Sequence, residues 1–278
     1  MTSQGELRLP HLEVLATETV VLHEDSDERR VAGMAHRFQA EGLMKNPPIV
    51  APMGDGRYVV LDGANRVSAL KRLGVPDILV QVVDYASCRL TTWYHLVTGA
   101  TSESLLAVER QEGLHLVASD LDRARADLAA DRILAYLVLP GGAVHALVGE
   151  GEPDLAQRTE LLRRAVAVYK GKANIHRVQT DDMAALEQFY ADIAGLIVFP
   201  SYRPQDVLAM ALDGAMLPSG ITRHLIPLRA LHTNTELAFL WSDHPLSEKN
   251  RWLVEWTRNK VQLRAVRHYE EQTVLYDE

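Results

Sequence analysis

The five residues Asp62-Gly63-Ala64-Asn65-Arg66 stand where a strand pattern gives way to a helix pattern, a junction able to hold an anion. Residues 58–61 are a short apolar run with β-formers, Asp62 and Gly63 break it, and Val67, Ala69, Leu70 and Leu73 then recur at helical spacing. A helix that opens straight after a glycine turn presents unpaired N–H groups and the positive end of its dipole, here with the Arg66 cation in its first turn. Those features suit a phosphate. A strand, turn and helix are also a common connection that binds nothing, and this stretch alone leaves both readings open. Thr222 and His224, two residues apart, would share one face of an extended chain and could touch one ligand, or could form a strand with one satisfied histidine. Cys88, the only cysteine, could be a nucleophile, although a thiol in a core or at a sheet end is the commoner case. Alone, it excludes an internal disulfide and a cysteine-rich zinc site.

The elements that would position these groups follow from the flanking pattern. Gly74-Val75-Pro76 stops the helix, and residues 78–83, almost wholly apolar, predict a strand buried on both faces. Upstream, 19–22 predict a strand ending at His23-Glu24-Asp25; Ser26 or Asp27 then caps a helix that runs to Glu41, with Gly42 as its stop. Asn46-Pro47-Pro48 forces an extended segment, so 49–61 predict a hairpin turning at Gly54-Asp55-Gly56. Residues 1–10 predict a mobile leader, and 87–97 a strand or strand-end loop that carries Trp93 and His95. Helices are predicted over 101–113 and 120–135, with a short apolar segment at 114–117 between them, and over 154–169, 181–194 and 203–213. Strands are predicted over 134–139, 143–148, 175–178, 195–200 and 237–241. A long polar helix over 246–271, with Trp252 and Trp256, could make a homodimer contact or cover the core.

The chain has 278 residues, 47% of them hydrophobic and 24% charged, enough for one large or two small cores. A formal net charge of −8 argues against non-specific nucleic-acid binding, which needs a concentrated positive field. No window approaches about eighteen uncharged apolar residues, and no basic segment leads into an apolar run at the N-terminus. Neither a membrane span nor a signal peptide is expected, and a cytoplasmic location is. No GxxxxGK(S/T) P-loop is present.

The string Gly63-Ala64-Asn65-Arg66-Val67-Ser68-Ala69 resembles the GxxRxxA box of the ParB/sulfiredoxin superfamily, and with Asp62 and Leu73-Gly74 it is similar to that superfamily's DGxxRxxAxxxxG form. The order strand, HE loop, helix, Asn-Pro, strand, DGxxR, helix, strand extends the likeness over 19–85. Near the other end, Leu217-Pro218 followed by Thr222 and His224 resembles the LPxxxTxH segment of free-serine kinases and of the siderophore-pathway serine kinase that shares their fold.

The resemblance implies an α/β (mixed α+β) protein with a ParB/sulfiredoxin-like nucleotide-binding domain at 1–100. A smaller α/β C-terminal domain at 101–278 would complete the substrate cleft. It further implies a kinase that moves a phosphoryl group from ATP or ADP to the hydroxyl of free L-serine. In that branch the glutamate of the HE loop is the catalytic base, and Glu24 is its match. Asp62, at a neighbouring strand end, is a second carboxylate able to take a hydroxyl proton or hold Mg2+. Gly63, Ala64, Asn65 and Arg66 would cradle nucleotide phosphate, with Ala64-Asn65 where the branch usually places a histidine second. Trp93, Thr222 and His224 would bind the amino acid. Phosphoryl transfer rests on alignment and charge stabilisation, so such a set suffices without a P-loop. Two alternatives remain. A ParB-like nucleotide-binding transcriptional regulator is opposed by the net charge and by the lack of a clear basic recognition helix after residue 100. A sulfiredoxin-like thiol enzyme needs a cysteine just before the GxxR box, where Leu61 and Asp62 stand.

Overall fold

The structure, a computed structural model, describes residues 9–269. The leader expected over 1–10 therefore lies, but for Leu9 and Pro10, outside the described residues, as do 270–271 of the helix expected over 246–271, which stops earlier, at Gln262. Strands β1 (His11–Ala16) and β2 (Val20–Val21) come first. Helix α1 (Glu28–Glu41) starts where the Asp27 side chain accepts from Arg30 N at 3.0 Å, and stops at Gly42, whose φ of 67° is left-handed. β3 (Leu43–Met44) follows, then β4 (Ile49–Pro52) and β5 (Tyr58–Asp62), which form the expected hairpin. α2 (Ala64–Leu73) lies between Gly63 and Gly74, and β6 (Asp77–Val82) completes a sheet of order β1-β6-β4-β5-β2. β2 runs parallel to β5 beside it. The loops that follow these two strands, with Glu24 in one and Asp62-Gly63 in the other, therefore leave the sheet at the same edge.

The segment expected as one element over 87–97 is two strands, β7 (Arg89–Thr92) and β8 (Tyr94–Thr98), hinged at Trp93. A second sheet is built from β8 with β9 (Leu114–Ser119), β10 (Ala135–Val138), β11 (Val144–Gly149), β12 (Asn174–Val178) and β13 (Ile193–Val198), in the order β12-β8-β13-β10-β11-β9. All its pairings are antiparallel. β14 (Thr222–Leu225) pairs with β7, and β15 (Thr235–Glu236) pairs with β3, so the late chain returns to the early one.

Helices α3 (Ser102–Leu106), α4 (Leu121–Ala129), α5 (Leu155–Ala167), α6 (Met183–Glu187) and α7 (Pro204–Asp213) connect these strands. Three of them correct the sequence reading. The helix expected over 101–113 is α3 and a 3-10 turn ending at Arg110, and the apolar segment at 114–117 belongs to β9. The helix expected over 120–135 stops at Ala129, because the buried run from Ile133 to Leu139 is drawn into the sheet after Asp131 adopts a positive φ of 56°. The helix expected over 181–194 is only α6. Asp192 turns left-handed, and Gly195 enters the strand packed against Leu105 and Leu139, where a Cβ would fall 2.9 Å and 3.1 Å from their methyl groups.

A further correction concerns 237–241, expected as a strand. It is helix α8 (Leu237–Trp241), with Leu237 and Leu240 both buried, the i, i+3 pattern that a five-residue apolar run leaves ambiguous. Helix α9 (Leu246–Gln262) lies on β1, with Leu253 buried, so it covers the core; Trp252 stays 44% exposed against Phe239 and Trp256.

Strand alternation divides the apolar residues among three cores. Val60 of β5 joins Val31, Phe38, Leu70 and Ile78 beneath α1 and α2, whereas its neighbours Val59 and Leu61 face the opposite side, in one core with Val97, Leu137, Ile197, Phe199 and Leu217. The same period sends Leu96, Tyr136, Val138 and Leu196 to the outer face of the second sheet. The shared middle core joins the two sheets.

Candidate active site

Glu24 joins the two ends of the chain. Leu217 N donates to His23 O at 2.8 Å and Asp25 N to Leu217 O at 2.7 Å, a parallel bridge that brings the HE loop against residues 217–222. The Glu24 carboxylate then accepts from Gly220 N on Oε2 (2.9 Å), and from Thr222 N (2.5 Å) and Thr222 Oγ1 (2.6 Å) on Oε1. An ionised carboxylate has about four lone-pair sites, so one on Oε2 is left for a ligand.

Behind Glu24 lies a buried relay. Thr222 Oγ1 gives its only proton to Glu24 and must accept from His23 Nε2, 2.8 Å away, which fixes the proton on that nitrogen. The His23 ring meets His224 edge-on at 5.5 Å, and His224 Nε2 lies 2.8 Å from Tyr85 Oη. Burial lowers His23 to about 4, and burial with the neighbouring His23 lowers His224 to about 4. Burial likewise lowers His95, bonded through Nδ1 to Tyr169 Oη, to about 4. Burial pushes the Tyr85 phenol well up, so it remains protonated.

A histidine with a depressed folded value binds fewer protons folded than unfolded. Stability from these three groups is therefore present above about 6.5, falls as pH drops through the window to about 4, and is fully lost below it. Thermal melts at pH 7.5, 6 and 5 are expected to show a falling Tm, and His95→Gln to flatten that slope. An identical slope in the variant would remove His95 from the effect.

Across the cleft, Gly63 has a φ of 98° and α2 begins there with no side-chain cap. The Arg66 guanidinium fills the space a Cβ would need at Gly63, 2.9 Å from that position. Arg66 donates to Asn46 O (3.0 Å), Pro47 O (3.2 Å) and Asp62 Oδ2 (2.7 Å), and Arg229 donates to the same Asp62 oxygen at 2.5 Å. The Asn65 side chain accepts from Asp27 N at 2.9 Å, which holds the start of α1 beside the start of α2. The Trp93 backbone N–H donates to Ile221 O at 2.8 Å, and the Arg223 guanidinium lies 4.2 Å over its ring.

The nine residues singled out in the sequence (Glu24, Asp62, Gly63, Ala64, Asn65, Arg66, Trp93, Thr222 and His224) all line one cleft of about 1480 Å³, a volume with room for a nucleotide and a small co-substrate. Sequence reasoning gave no part to His23, Tyr85, Gly220 or Arg229. His23 was visible only as a neighbour of Glu24, and the others had no local signal. Cys88 does not line the cleft, and burial raises its thiol above the ordinary range, opposite to what a nucleophile needs. Among the described residues, no group of three or more His, Cys, Asp or Glu could hold a metal, and no helix is long and apolar enough to cross a membrane.

No family model matches the chain. It is 25% identical over 244 residues to SbnI, an ATP-dependent L-serine kinase of Staphylococcus aureus, the match covering 87% of this chain and 89% of that one. It is 22% identical over 210 residues to SerK, an ADP-dependent L-serine kinase of Thermococcus kodakarensis, covering 74% and 83%. A free serine kinase solved in complex with AMP superposes with a TM-score of 0.71 at 18% identity, over 84% of this chain and 95% of that one. The fold is that of the free serine kinases. The resemblance to free-serine kinases is thereby borne out.

Proposed function

We propose that the chain is a free L-serine kinase, transferring a phosphoryl group from ATP or ADP to the serine hydroxyl to give O-phospho-L-serine. The observation that carries this reading is the Glu24 clamp. A carboxylate with one open lone pair is fastened to the Thr222 strand in the cleft that also holds an uncapped helix start. Nothing favours the DNA-binding alternative, since the relatives with curated names are kinases of the same small substrate.

The roles follow from the geometry. The hydroxyl of serine would donate to the free Oε2 site of Glu24, which takes the proton as the new P–O bond forms. The nucleotide phosphates would meet the first N–H groups of α2 at Gly63, Ala64, Asn65 and Arg66, where the helix dipole favours negative charge. Trp93, Thr222 and His224 would form the amino-acid wall. Mg2+ needs only one or two carboxylates besides substrate phosphates, and Asp62 keeps its second oxygen clear of the two arginines. Asp62 would hold that ion, whose charge offsets the negative charge on the transferred group. In this reading 1–100 carries the nucleotide and 101–278 completes the cleft.

Incubation with ATP or ADP against L-serine, L-threonine and L-homoserine, followed by 31P NMR, tests the reading. A new phosphomonoester resonance with serine, and the nucleotide left behind, identify acceptor and donor. Loss of any serine-dependent resonance with both donors would end it. Thr222→Val removes the hydroxyl between His23 and Glu24 while keeping the shape. Its serine kcat/KM is expected to fall about 10- to 10²-fold, the worth of a hydrogen bond to a charged group, with nucleotide KM unchanged. An equal rise in both KM values would take Thr222 out of the acceptor wall.

A further inference from the structure

We propose that Arg177 recognises the carboxylate of the amino-acid acceptor, an assignment that rests on the serine-kinase reading and deepens it. An amino acid enters as a zwitterion, and a carboxylate drawn out of water without a cation or several N–H donors is costly. The residues assigned to the acceptor do not answer that need. His224 is neutral through burial, and Trp93 offers a single N–H. Thr222 has its hydroxyl proton on Glu24 and one lone pair filled by His23, so it can only accept, which suits the ammonium end of the substrate.

Most other cations near the acceptor wall are engaged. Arg66 and Arg229 share Asp62, while Arg223 lies over Trp93 and donates to Gln179 Oε1. Arg177, on β12, lines the cleft, and its guanidinium makes no hydrogen bond or ion pair with any described residue. Its guanidinium is seated on Gly220, where a Cβ would fall 2.4 Å from its Nε and Nη2. Gly220 is the residue whose N–H holds Glu24 Oε2. The register of β12 against β8 also pairs Arg177 with His95, two residues from Trp93. A planar guanidinium thus stands against the Gly220 turn that carries Glu24 and Thr222, with its fork of donors free, and a fork of that shape takes a carboxylate through two parallel hydrogen bonds. Lys170, the other cation on that wall, has no such seat.

The test compares L-serine with L-serinamide, which keeps the hydroxyl and ammonium but lacks the carboxylate, in the wild type, Arg177→Met, Arg177→Lys and Lys170→Met. Turnover gives KM and kcat, and calorimetry on nucleotide-loaded protein gives acceptor binding independently. In Arg177→Met the preference for serine over serinamide is expected to collapse toward unity through a loss of about 10²-fold in serine kcat/KM, with nucleotide affinity unchanged. Arg177→Lys should recover part of the preference, and Lys170→Met should keep it. A preserved ratio in Arg177→Met, or a loss that falls on nucleotide affinity, overturns the assignment and leaves the kinase reading standing. Binding of serine that depends on Arg177 in a protein that transfers no phosphate would do the reverse. If serine neither binds nor reacts, both fail.

Discussion

Glu24→Gln is expected to lower kcat for serine phosphorylation by about 10² to 10⁴-fold while nucleotide affinity stays within about twofold. A serine hydroxyl is a poor nucleophile at neutral pH, and the proton it releases needs an acceptor within hydrogen-bond reach. An amide keeps the shape of the side chain but cannot take that proton. The structure adds a second consequence. All three groups that touch Glu24 are donors: Gly220 N on one oxygen, Thr222 N and Oγ1 on the other. Whichever way the amide turns, its NH2 must face a backbone N–H, so the variant should also lose about 1–3 kcal/mol of stability. Assays are therefore run well below the variant's Tm. If Glu24 were only a clasp between the loop and β14, stability would fall while kcat, measured on folded protein, stayed near wild type. Comparison of kcat, nucleotide affinity and Tm in one variant separates the two roles.

Lys249→Met is expected to cost about 3 kcal/mol, a large part of an ordinary domain's stability. The Lys249 side chain is fully buried, with Nζ donating to Asp77 Oδ2 at 2.6 Å, Ser242 O at 2.7 Å and Leu240 O at 3.0 Å. Three acceptors satisfy its three N–H groups, and the pair fastens α9 to the start of β6. Methionine fills the channel but leaves the Asp77 carboxylate and two carbonyls without a donor. For a chain of this size such a loss corresponds to a Tm lower by roughly 6–12 °C. Asp77→Leu combined with Lys249→Met should restore much of it, because replacing both partners of the buried lysine's ion pair with apolar groups can be nearly neutral. A loss below about 1 kcal/mol in the single variant would mean that water reaches Asp77 and that α9 is held by Leu253 and the Asn250 bonds to Val14 instead.

What the sequence made legible was local. The Asp27 cap and Gly42 stop of α1, the β4–β5 hairpin and the glycine-bounded α2 all rest on residues within a few positions of one another, where cap and turn chemistry speaks directly. The misreadings have a common cause. The strands expected over 134–139 and 195–200 are present, but helical spacing ran on past the true helix ends at Ala129 and Glu187, where left-handed turns at Asp131 and Asp192 lead the chain into those strands. At 237–241 the same five apolar residues could serve either period, and only contact with the first core chose the helix. The proposed site residues were named from motif resemblance, but their convergence could not be read from the chain. Glu24 and Thr222 are 198 residues apart, and Arg229 reaches Asp62 across 167. Contacts of that range leave no mark in periodicity, which is why His23, Gly220, Arg229 and Arg177 emerged only from the folded chain.

If this cleft moves a phosphoryl group onto a serine hydroxyl, product and consumed nucleotide must match. O-phosphoserine formed is counted against nucleotide consumed, with ATP or ADP as donor. L-Alanine, which lacks only the hydroxyl, serves as the second acceptor. One O-phosphoserine per nucleotide consumed is expected with at least one donor, and no acceptor-dependent consumption with alanine. Folded, nucleotide-binding protein that yields no O-phosphoserine with either donor, or that consumes nucleotide equally with serine and alanine, would rule out serine kinase activity.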